Sequence, residues 1–241
     1  MVAYGSWLRP ERDQEMRRSI AAVFFDVDGV LVDSLPQHLQ ICRDKATEFE
    51  LSIQIPSENE FRMMVARGVR VSPMYKFFVA VGFPHNLARR AVLDYEREFS
   101  EKYRPQLFEG VGKILTLIRQ RGLRLGLVTS NTRENVLPIL GNTTSLFEPS
   151  CLFFYDKESP PRPKSWFLHE GSRLMNLRPE ECLYVGDQPS DAEAAMKSRF
   201  HFLGVTYGWG ILESDTKYAT VNSISKIPSW IERSNYADRA N

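Results

Sequence analysis

The feature of the sequence that most constrains its fold is a short apolar run at residues 21–25, AAVFF, which stops at two aspartates. A continuous run of small, β-branched and aromatic residues predicts a strand that is buried on both faces of a sheet. Asp26 and Asp28 follow it, one residue apart, and Gly29 then allows the backbone to turn sharply away. Because carboxylates beside a dry core lose solvation, this strand end predicts a bound hard cation such as Mg²⁺.

Comparable apolar runs recur along the chain, and helical patterns separate them. We predict further strands at residues 123–128, 151–155, 182–185 and 202–206, with a short edge strand at 218–221. Helices are predicted at residues 111–121, 165–176 and 191–199. Strands that alternate with helices form right-handed parallel crossovers. The sequence therefore predicts an α/β fold with a doubly wound parallel sheet as a Rossmann-like core.

The segment between residues 35 and 104 has a different pattern. Helices are predicted at residues 35–49, 59–67, 73–81 and 86–103, and no strand is predicted among them. We therefore expect an all-helical cap, residues 35–104, inserted into a core formed by residues 21–34 and 105–241. Residues 1–20 are expected to form a loose or weakly helical N-terminal extension.

Charge and cysteine content bear on the class of protein. The formal net charge is +1 over 241 residues, so no broad basic surface argues for nucleic-acid binding. No apolar run has the length that a membrane span needs. Cys42, Cys151 and Cys182 lie far apart and show neither metal-ligand nor redox spacing. We expect buried reduced thiols, which suit a cytoplasmic protein, and the sequence leaves the oligomeric state open.

Four polar clusters lie at the ends of predicted strands or at the starts of the helices that follow. Open α/β sheets bind ligands at the carboxyl ends of their strands, so we expect these clusters to form one site. The clusters are Asp26 with Asp28, Thr129 with Ser130, Arg162 with Lys164, and Asp187 with Asp191.

The acidic clusters meet one requirement of phosphoryl transfer. An attacking carboxylate is repelled by an anionic phosphate ester unless a cation intervenes. Mg²⁺ held by Asp26 and Asp187 would bring the two together and spread the developing charge. Asp28, offset from Asp26, could protonate the leaving oxygen and later activate water.

The other two clusters would bind the phosphate itself. A hydroxyl and the backbone N–H groups at Thr129 and Ser130 could hold phosphoryl oxygens. A cation at Lys164 or Arg162 would neutralise one more negative charge. Each cluster alone is common in turns and helix caps, but their joint order along alternating strands favours a functional site.

The stretch FFDVDGVLVDS, residues 24–34, resembles the opening motif of the haloacid dehalogenase-like hydrolase superfamily, in its DxD phosphatase branch. The resemblance extends from about residue 21 to about residue 210. It implies that Asp26 is the nucleophile and forms an aspartyl-phosphate, and that Asp28 is the general acid/base. It also implies that Thr129 binds phosphate and that Asp187 and, less directly, Asp191 hold Mg²⁺. The candidate metal ligands are Asp26, Asp28, Asp187 and Asp191.

The basic position has two candidates. Members of the family usually carry Lys-Pro at a set distance before the last acidic motif. Arg162-Pro163 lies at about that distance, whereas Lys164 lies closer and is followed by serine. We favour Lys164, because a loop accommodates a short deletion easily. Arg162 is the alternative.

The sequence therefore predicts a Mg²⁺-dependent phosphatase that hydrolyses a small phosphorylated metabolite. A phosphosugar mutase on the same fold is the alternative enzyme, and a non-catalytic phosphate-binding or regulatory protein is the alternative of another class. Specificity is expected to lie in the cap, which closes over a bound phosphate monoester. Four basic cap residues could meet an acidic substrate tail: Arg62, Arg67, Arg70 and Lys76.

Overall fold

The computed structural model describes residues 19–156 and 158–237, so nearly all of the predicted N-terminal extension lies outside the described residues. The strands are β1 Ala22–Phe25, β2 Val32–Asp33, β3 Gln106–Leu107, β4 Arg124–Thr132, β5 Leu152–Tyr155, β6 Cys182–Gly186, β7 His201–Val205 and β8 Thr220–Val221. The α-helices are α1 Leu35–Glu48, α2 Glu58–Ala66, α3 Met74–Ala80, α4 His85–Glu98, α5 Val111–Gln120, α6 Arg133–Leu140, α7 Lys164–Leu174, α8 Pro189–Ser198 and α9 Ile227–Ala237.

Six strands form one parallel sheet in the order β5-β4-β1-β6-β7-β8. The first strand lies in the middle, where Phe25 is level with Leu127 of β4 and with Val185 of β6. The carboxyl ends of β1, β4 and β6 therefore meet at one edge of the sheet. The predicted doubly wound α/β fold is confirmed, and the predicted edge strand is β8.

Helices cover both faces of the sheet, which explains why β1 is apolar along its whole length. Val23 and Phe25 pack with residues of α5, α6 and α9. Phe24, on the opposite face, packs with residues of α7 and α8. All four side chains of β1 are completely buried, as the continuous apolar run predicted.

The inserted segment forms a helical cap with an apolar cluster of its own, also as predicted. Its buried residues come mainly from helices α1 to α4 and include Phe61 and Phe77. One residue of the core, Trp209, belongs to the same cluster. The predicted helix 86–103 is not uniform, because α4 ends at Glu98 and a π-helical turn, Phe99–Tyr103, follows it.

Several elements were not predicted from the sequence. The two-residue strands β2 and β3 pair antiparallel, with Val32 level with Leu107, where the chain leaves and re-enters the core. Helices α6 and α9 were missed, and β4 continues four residues beyond the predicted end at residue 128. Within the described ranges, no helix combines the length and the apolar character that crossing a bilayer requires.

Candidate active site

Three buried carboxylates meet at the edge where β1 and β6 end. Asp26 follows β1, Asp187 follows β6, and Asp191 lies in the first turn of α8. One carboxylate oxygen from each lies within 4.8 Å of the others. Burial raises the pKa of Asp26 to about 7. The positive charge of Lys164 partly offsets this rise, and the negative charge of Asp191 adds to it. Burial, with the charges of Asp191 and Asp26, also raises the pKa of Asp187 well above its usual range.

The arrangement of Asp187 fits a metal ligand. Its Oδ2 accepts a hydrogen bond from the backbone N–H of Trp209 at 2.6 Å. Its Oδ1 is buried and has no hydrogen-bond partner among the described residues. A buried carboxylate oxygen without a donor is costly, and a hard cation would satisfy it. The oxygen-only cluster could therefore hold a metal ion.

Two glycines allow the backbone to approach Asp187 closely. Gly29 has a φ of 77°, and a Cβ atom there would lie 2.1 Å from Asp187 Oδ2. A Cβ atom at Gly208 would lie 2.3 Å from the Cβ atom of Asp187. The turns after β1 and β7 therefore enclose this carboxylate on two sides, and neither turn has room for a side chain there.

Asp191 is held on the other side of the cluster. Its Oδ2 accepts hydrogen bonds from the backbone N–H groups of Asp187, at 3.2 Å, and Gln188, at 3.1 Å. Gln188 precedes α8 as its N-cap residue. Negative charge is favourable at the N-terminus of a helix, so α8 stabilises the carboxylate of Asp191 in its first turn.

Of the two basic candidates, Lys164 lies beside the carboxylates. Its Nζ is 2.6 Å from Asp26 Oδ2 and 2.8 Å from Asp191 Oδ1. Burial alone would lower the pKa of Lys164, but attraction by Asp191 and Asp26 raises it well above its usual value. Lys164 is therefore charged at neutral pH. Arg162 is exposed, and its guanidinium lies 4.0 Å from the centre of the Trp166 ring.

Asp28 lies apart from the three-carboxylate cluster. Its Oδ1 accepts a hydrogen bond from Ser34 Oγ at 2.6 Å, and its Oδ2 accepts one from Asn131 Nδ2 at 2.9 Å. Both donors are neutral, and neither was singled out as a site residue from the sequence. Asn131 is in turn oriented by Asn135, whose side-chain amide donates to Asn131 Oδ1 at 3.3 Å.

The predicted phosphate-binding residues lie within the last four residues of β4 and not after the strand, as the sequence had predicted. Thr129 is buried, and its Oγ1 accepts a hydrogen bond from the backbone N–H of Asn131 at 3.1 Å. Thr129 and Ser130 line a cavity of about 360 Å³, and so do Asp26, Asp28 and Lys164.

The cap supplies the opposite wall of this cavity. Two buried polar side chains, His38 and Tyr95, line it and contact each other, with His38 Nε2 3.2 Å from the Tyr95 hydroxyl. Burial lowers the pKa of His38, which also contacts the backbone oxygen of Ser34. Of the four basic cap residues considered from the sequence, the cavity lining includes Arg70 and Lys76.

Comparison with known proteins identifies the family. The model of the haloacid dehalogenase-like hydrolase family matches residues 23–205, which is most of the chain. The chain therefore belongs to the haloacid dehalogenase-like hydrolases, as the stretch FFDVDGVLVDS predicted. Its curated relatives are phosphatases, and the protein is accordingly a phosphohydrolase.

Two curated relatives are similar over most of their length. An N-acetylmuramic acid 6-phosphate phosphatase from Pseudomonas putida is 29% identical over 199 residues, which cover 79% of this chain and 84% of the relative. A phosphoglycolate phosphatase from Nitrosococcus oceani is 28% identical over 193 residues, which cover 78% and 84%.

The fold is also similar to those of solved structures. The crystal structure of a protein described as a predicted phosphatase from Clostridium acetobutylicum superposes with a TM-score of 0.72. The match covers 90% of this chain and 100% of that chain, at 20% sequence identity. A likeness at this identity concerns the fold.

Proposed function

We propose that this protein is a Mg²⁺-dependent phosphatase that hydrolyses a small phosphate monoester through an aspartyl-phosphate on Asp26. One observation carries the proposal. Asp26 combines a neighbouring cation, Lys164 Nζ at 2.6 Å, with two further carboxylates and an adjoining cavity. A nucleophile, a charge-neutralising group and a metal-ligand set therefore share one edge of the sheet.

Asp26, Asp187 and Asp191 would hold the metal ion. The free Oδ1 of Asp187 supports this assignment, and a set of oxygen ligands favours Mg²⁺. When bound, Mg²⁺ offsets the negative charge shared by the nucleophile and the phosphoryl group. The side chain of Asp28 is better suited to proton transfer, because two neutral hydrogen bonds hold it outside the cluster.

Contacts to both carboxylate oxygens of Asp26 orient it for attack. Its Oδ1 accepts the backbone N–H of Val27 at 2.8 Å, and its Oδ2 contacts Lys164. A carboxylate oxygen of Asp26 forms a bond to phosphorus while the bond from phosphorus to the leaving oxygen breaks. Asp28 gives its proton to that leaving oxygen. These two steps release the alcohol and leave the phosphoryl group on Asp26.

The second half of the reaction restores the enzyme. Asp28, now a carboxylate, takes a proton from a water molecule whose oxygen attacks phosphorus. The bond from phosphorus to Asp26 breaks, and inorganic phosphate leaves. Thr129, Ser130 and Lys164 hold the phosphoryl oxygens through both steps, and Arg162, 4.0 Å from the Trp166 ring, contributes little.

The substrate is a small phosphorylated metabolite. The relatives named above are phosphatases of phosphoglycolate and of N-acetylmuramic acid 6-phosphate, and the cavity is bounded by the cap. Four residues of the cap line that cavity and would meet the part of the substrate beyond its phosphate: His38, Tyr95, Arg70 and Lys76.

The cysteines support a location for the protein. All three are free and buried, which suits the reducing environment of the cytoplasm.

Release of inorganic phosphate from a panel of phosphorylated metabolites tests the proposed function. The panel should contain phosphoglycolate, sugar phosphates, nucleotides and pyrophosphate, each with and without Mg²⁺. Wild type should release phosphate only with the metal, and Asp26→Asn should not. Asp33→Asn, which changes a nearby exposed carboxylate, should behave as wild type.

Two results would contradict the proposal. Turnover by a pure, folded Asp26→Asn sample would remove Asp26 as the nucleophile. Interconversion of sugar phosphates without net phosphate release would instead make the protein a mutase.

A further inference from the structure

We propose that Trp209 is a positioning residue that couples the seating of the cap to the orientation of the Asp187 carboxylate. Its ring packs in the apolar cluster of the cap, while its backbone N–H donates to Asp187. The inference rests on the proposed role of Asp187 as a metal ligand. It goes further, because it assigns a function to a residue outside the acidic cluster.

On the core side, the loop after β7 holds Asp187 at three points. The N–H of Trp209 donates to Asp187 Oδ2 at 2.6 Å. The main-chain oxygen of Asp187 accepts the N–H groups of Gly210, at 3.1 Å, and Ile211, at 2.8 Å. One carboxylate oxygen is thereby fixed, and the other, the unpartnered Oδ1, is left facing a potential cation.

On the cap side, the Trp209 ring contacts three helices. Its centroid lies 5.0 Å from that of His38 in α1, 5.9 Å from that of Phe61 in α2 and 5.8 Å from that of Phe77 in α3, all with edge-to-face geometry. Only 6% of Trp209 is exposed. Such aromatic pairs stabilise the packing beyond the effect of their buried area, so the cap strongly determines the position of the ring.

The indole nitrogen of Trp209 indicates that aromatic packing, and not a hydrogen bond, determines the position of the ring. Nε1 of Trp209 is buried and has no hydrogen-bond partner in the described part of the chain. An unsatisfied donor is unfavourable, so the contacts with the cap's aromatic rings must outweigh it. A phenylalanine at this position would keep the aromatic packing and remove the unsatisfied donor.

These contacts give the coupling a physical route. The donor to Asp187 is a backbone group, so a side-chain change cannot delete it but can move it. If the ring is lost, the loop is no longer held against the cap, and the hydrogen bond to Oδ2 can lengthen. Groups that orient metal ligands typically affect metal affinity by 10–100-fold. A longer hydrogen bond from the Trp209 N–H to Asp187 should therefore appear as weaker metal binding.

Calorimetric titration of the substrate-free, metal-free protein with MgCl₂ tests the proposal without any reliance on turnover. Trp209→Ala should weaken Mg²⁺ binding roughly 10-fold or more, and Trp209→Phe should restore most of the affinity. Trp230→Ala is the matched control, because it removes a ring that packs against the main core cluster. It should leave Mg²⁺ affinity unchanged even where it lowers thermal stability.

A double-mutant cycle tests the route through the cap. Phe77→Leu should weaken Mg²⁺ binding in the wild-type background but add little to Trp209→Ala, because both changes disrupt the same contact. If Trp209→Ala does not fold, Trp209→Leu takes its place. A folded Trp209→Ala or Trp209→Leu variant with wild-type Mg²⁺ affinity would overturn the inference.

The titration also separates this inference from the proposed function. Asp187→Asn should abolish the Mg²⁺ binding seen in wild type. If wild type binds no Mg²⁺, or if Asp187→Asn binds it normally, the proposed metal site fails and the coupling fails with it. If Asp187→Asn loses binding while Trp209→Ala does not, only the coupling is wrong.

Discussion

Lys164 contacts two of the three clustered carboxylates, and its positive charge offsets the repulsion between them. Its Nζ bridges Asp26 and Asp191, and its side chain is 17% exposed. Attraction by these carboxylates keeps its pKa well above the usual value in spite of burial. A buried cation between two carboxylates offsets repulsion that would otherwise disfavour the charged form of each.

The effect of this charge on turnover can be compared with that of its neighbour in sequence. Lys164→Ala should lose roughly 2–5 kcal/mol of transition-state stabilisation, which corresponds to a fall in kcat/KM of about 30-fold to several thousand-fold. Arg162→Ala removes an exposed charge and a ring contact, so its effect on kcat/KM should be below about fivefold, equivalent to less than 1 kcal/mol. Steady-state rates of phosphate release measure both.

The pair of variants also decides between the two alignments of this loop. A severe loss in Arg162→Ala together with a nearly normal Lys164→Ala would shift the phosphate-site cation by two residues. Two nearly normal variants would move the search to the cap, where Arg70 and Lys76 line the cavity.

Single residues differ in how well the sequence predicts them. Asp26 and Asp187 directly follow buried apolar strands, and this local pattern is enough to predict their place at the sheet edge. Ser34, Asn131 and Trp209 have no such signal. Asn131 and its partner Asp28, for example, are 103 positions apart in the chain, and only the fold brings them together.

At the scale of elements, helix α7 carries Lys164 at its first residue, and a glycine sets how closely the helix packs on the sheet. A Cβ atom at Gly171 would lie 2.4 Å from Cε1 of Phe24, a fully buried residue of β1. Phe24 belongs to β1, the strand that Asp26 directly follows. The fit of Gly171 against Phe24 therefore helps to set the distance between Lys164 and Asp26.

Gly171→Ala tests this packing. Overpacking a core typically costs 1–3 kcal/mol, which should outweigh the gain of up to ~1 kcal/mol that alanine brings to a helix. We expect a lower midpoint of urea denaturation and a lower kcat. Gly112→Ala in α5 is the control, because its new Cβ would lie 3.5 Å from Thr143 Cγ2, an ordinary contact, and it should be neutral or stabilising.

Equal midpoints for the two glycine variants would contradict the role of Gly171 in packing. A destabilised Gly171→Ala with unchanged kcat would restrict that role to stability.

Most of the long elements were predictable because periodicity accumulates over several turns or a full strand, but α9, with 11 residues, was missed. The strand pair β2 and β3 has two residues on each side, too few for an alternating pattern. Helix α6 contains an internal proline, Pro138, which argues against a helix in the sequence. The π-helical turn after Glu98 keeps Phe99 buried among other aromatic rings, and tertiary packing of that kind leaves no separate mark in the sequence.

At the scale of the whole molecule, the sheet positions the charged side chains and the cap bounds the cavity. The sheet gathers Asp26, Lys164, Asp187 and Asp191 at one edge, and the alternation of strands and helices is sufficient to predict that convergence. The cap closes the cavity from the other side, with Trp209 packed between the two. This contact joins residues that are distant in sequence, so the sequence pattern predicts the cap but not how it is seated.

The covalent intermediate is the step on which the proposed function depends most directly. Asp28→Asn should slow the attack of water on the phosphorylated enzyme, because the base that activates the water is lost. With p-nitrophenyl phosphate, whose leaving group needs little protonation, phosphorylation should continue and the intermediate should accumulate. Acid quenching followed by borohydride reduction converts an aspartyl-phosphate into homoserine, which peptide mass spectrometry locates.

The measurement is this trapping experiment on Asp28→Asn, with single-turnover reactions of the wild type alongside. We predict homoserine at position 26, in proportion to the burst of p-nitrophenol, and none at position 187 or 191. Release of p-nitrophenol without modification of Asp26, or modification of a different carboxylate, would contradict the proposed mechanism.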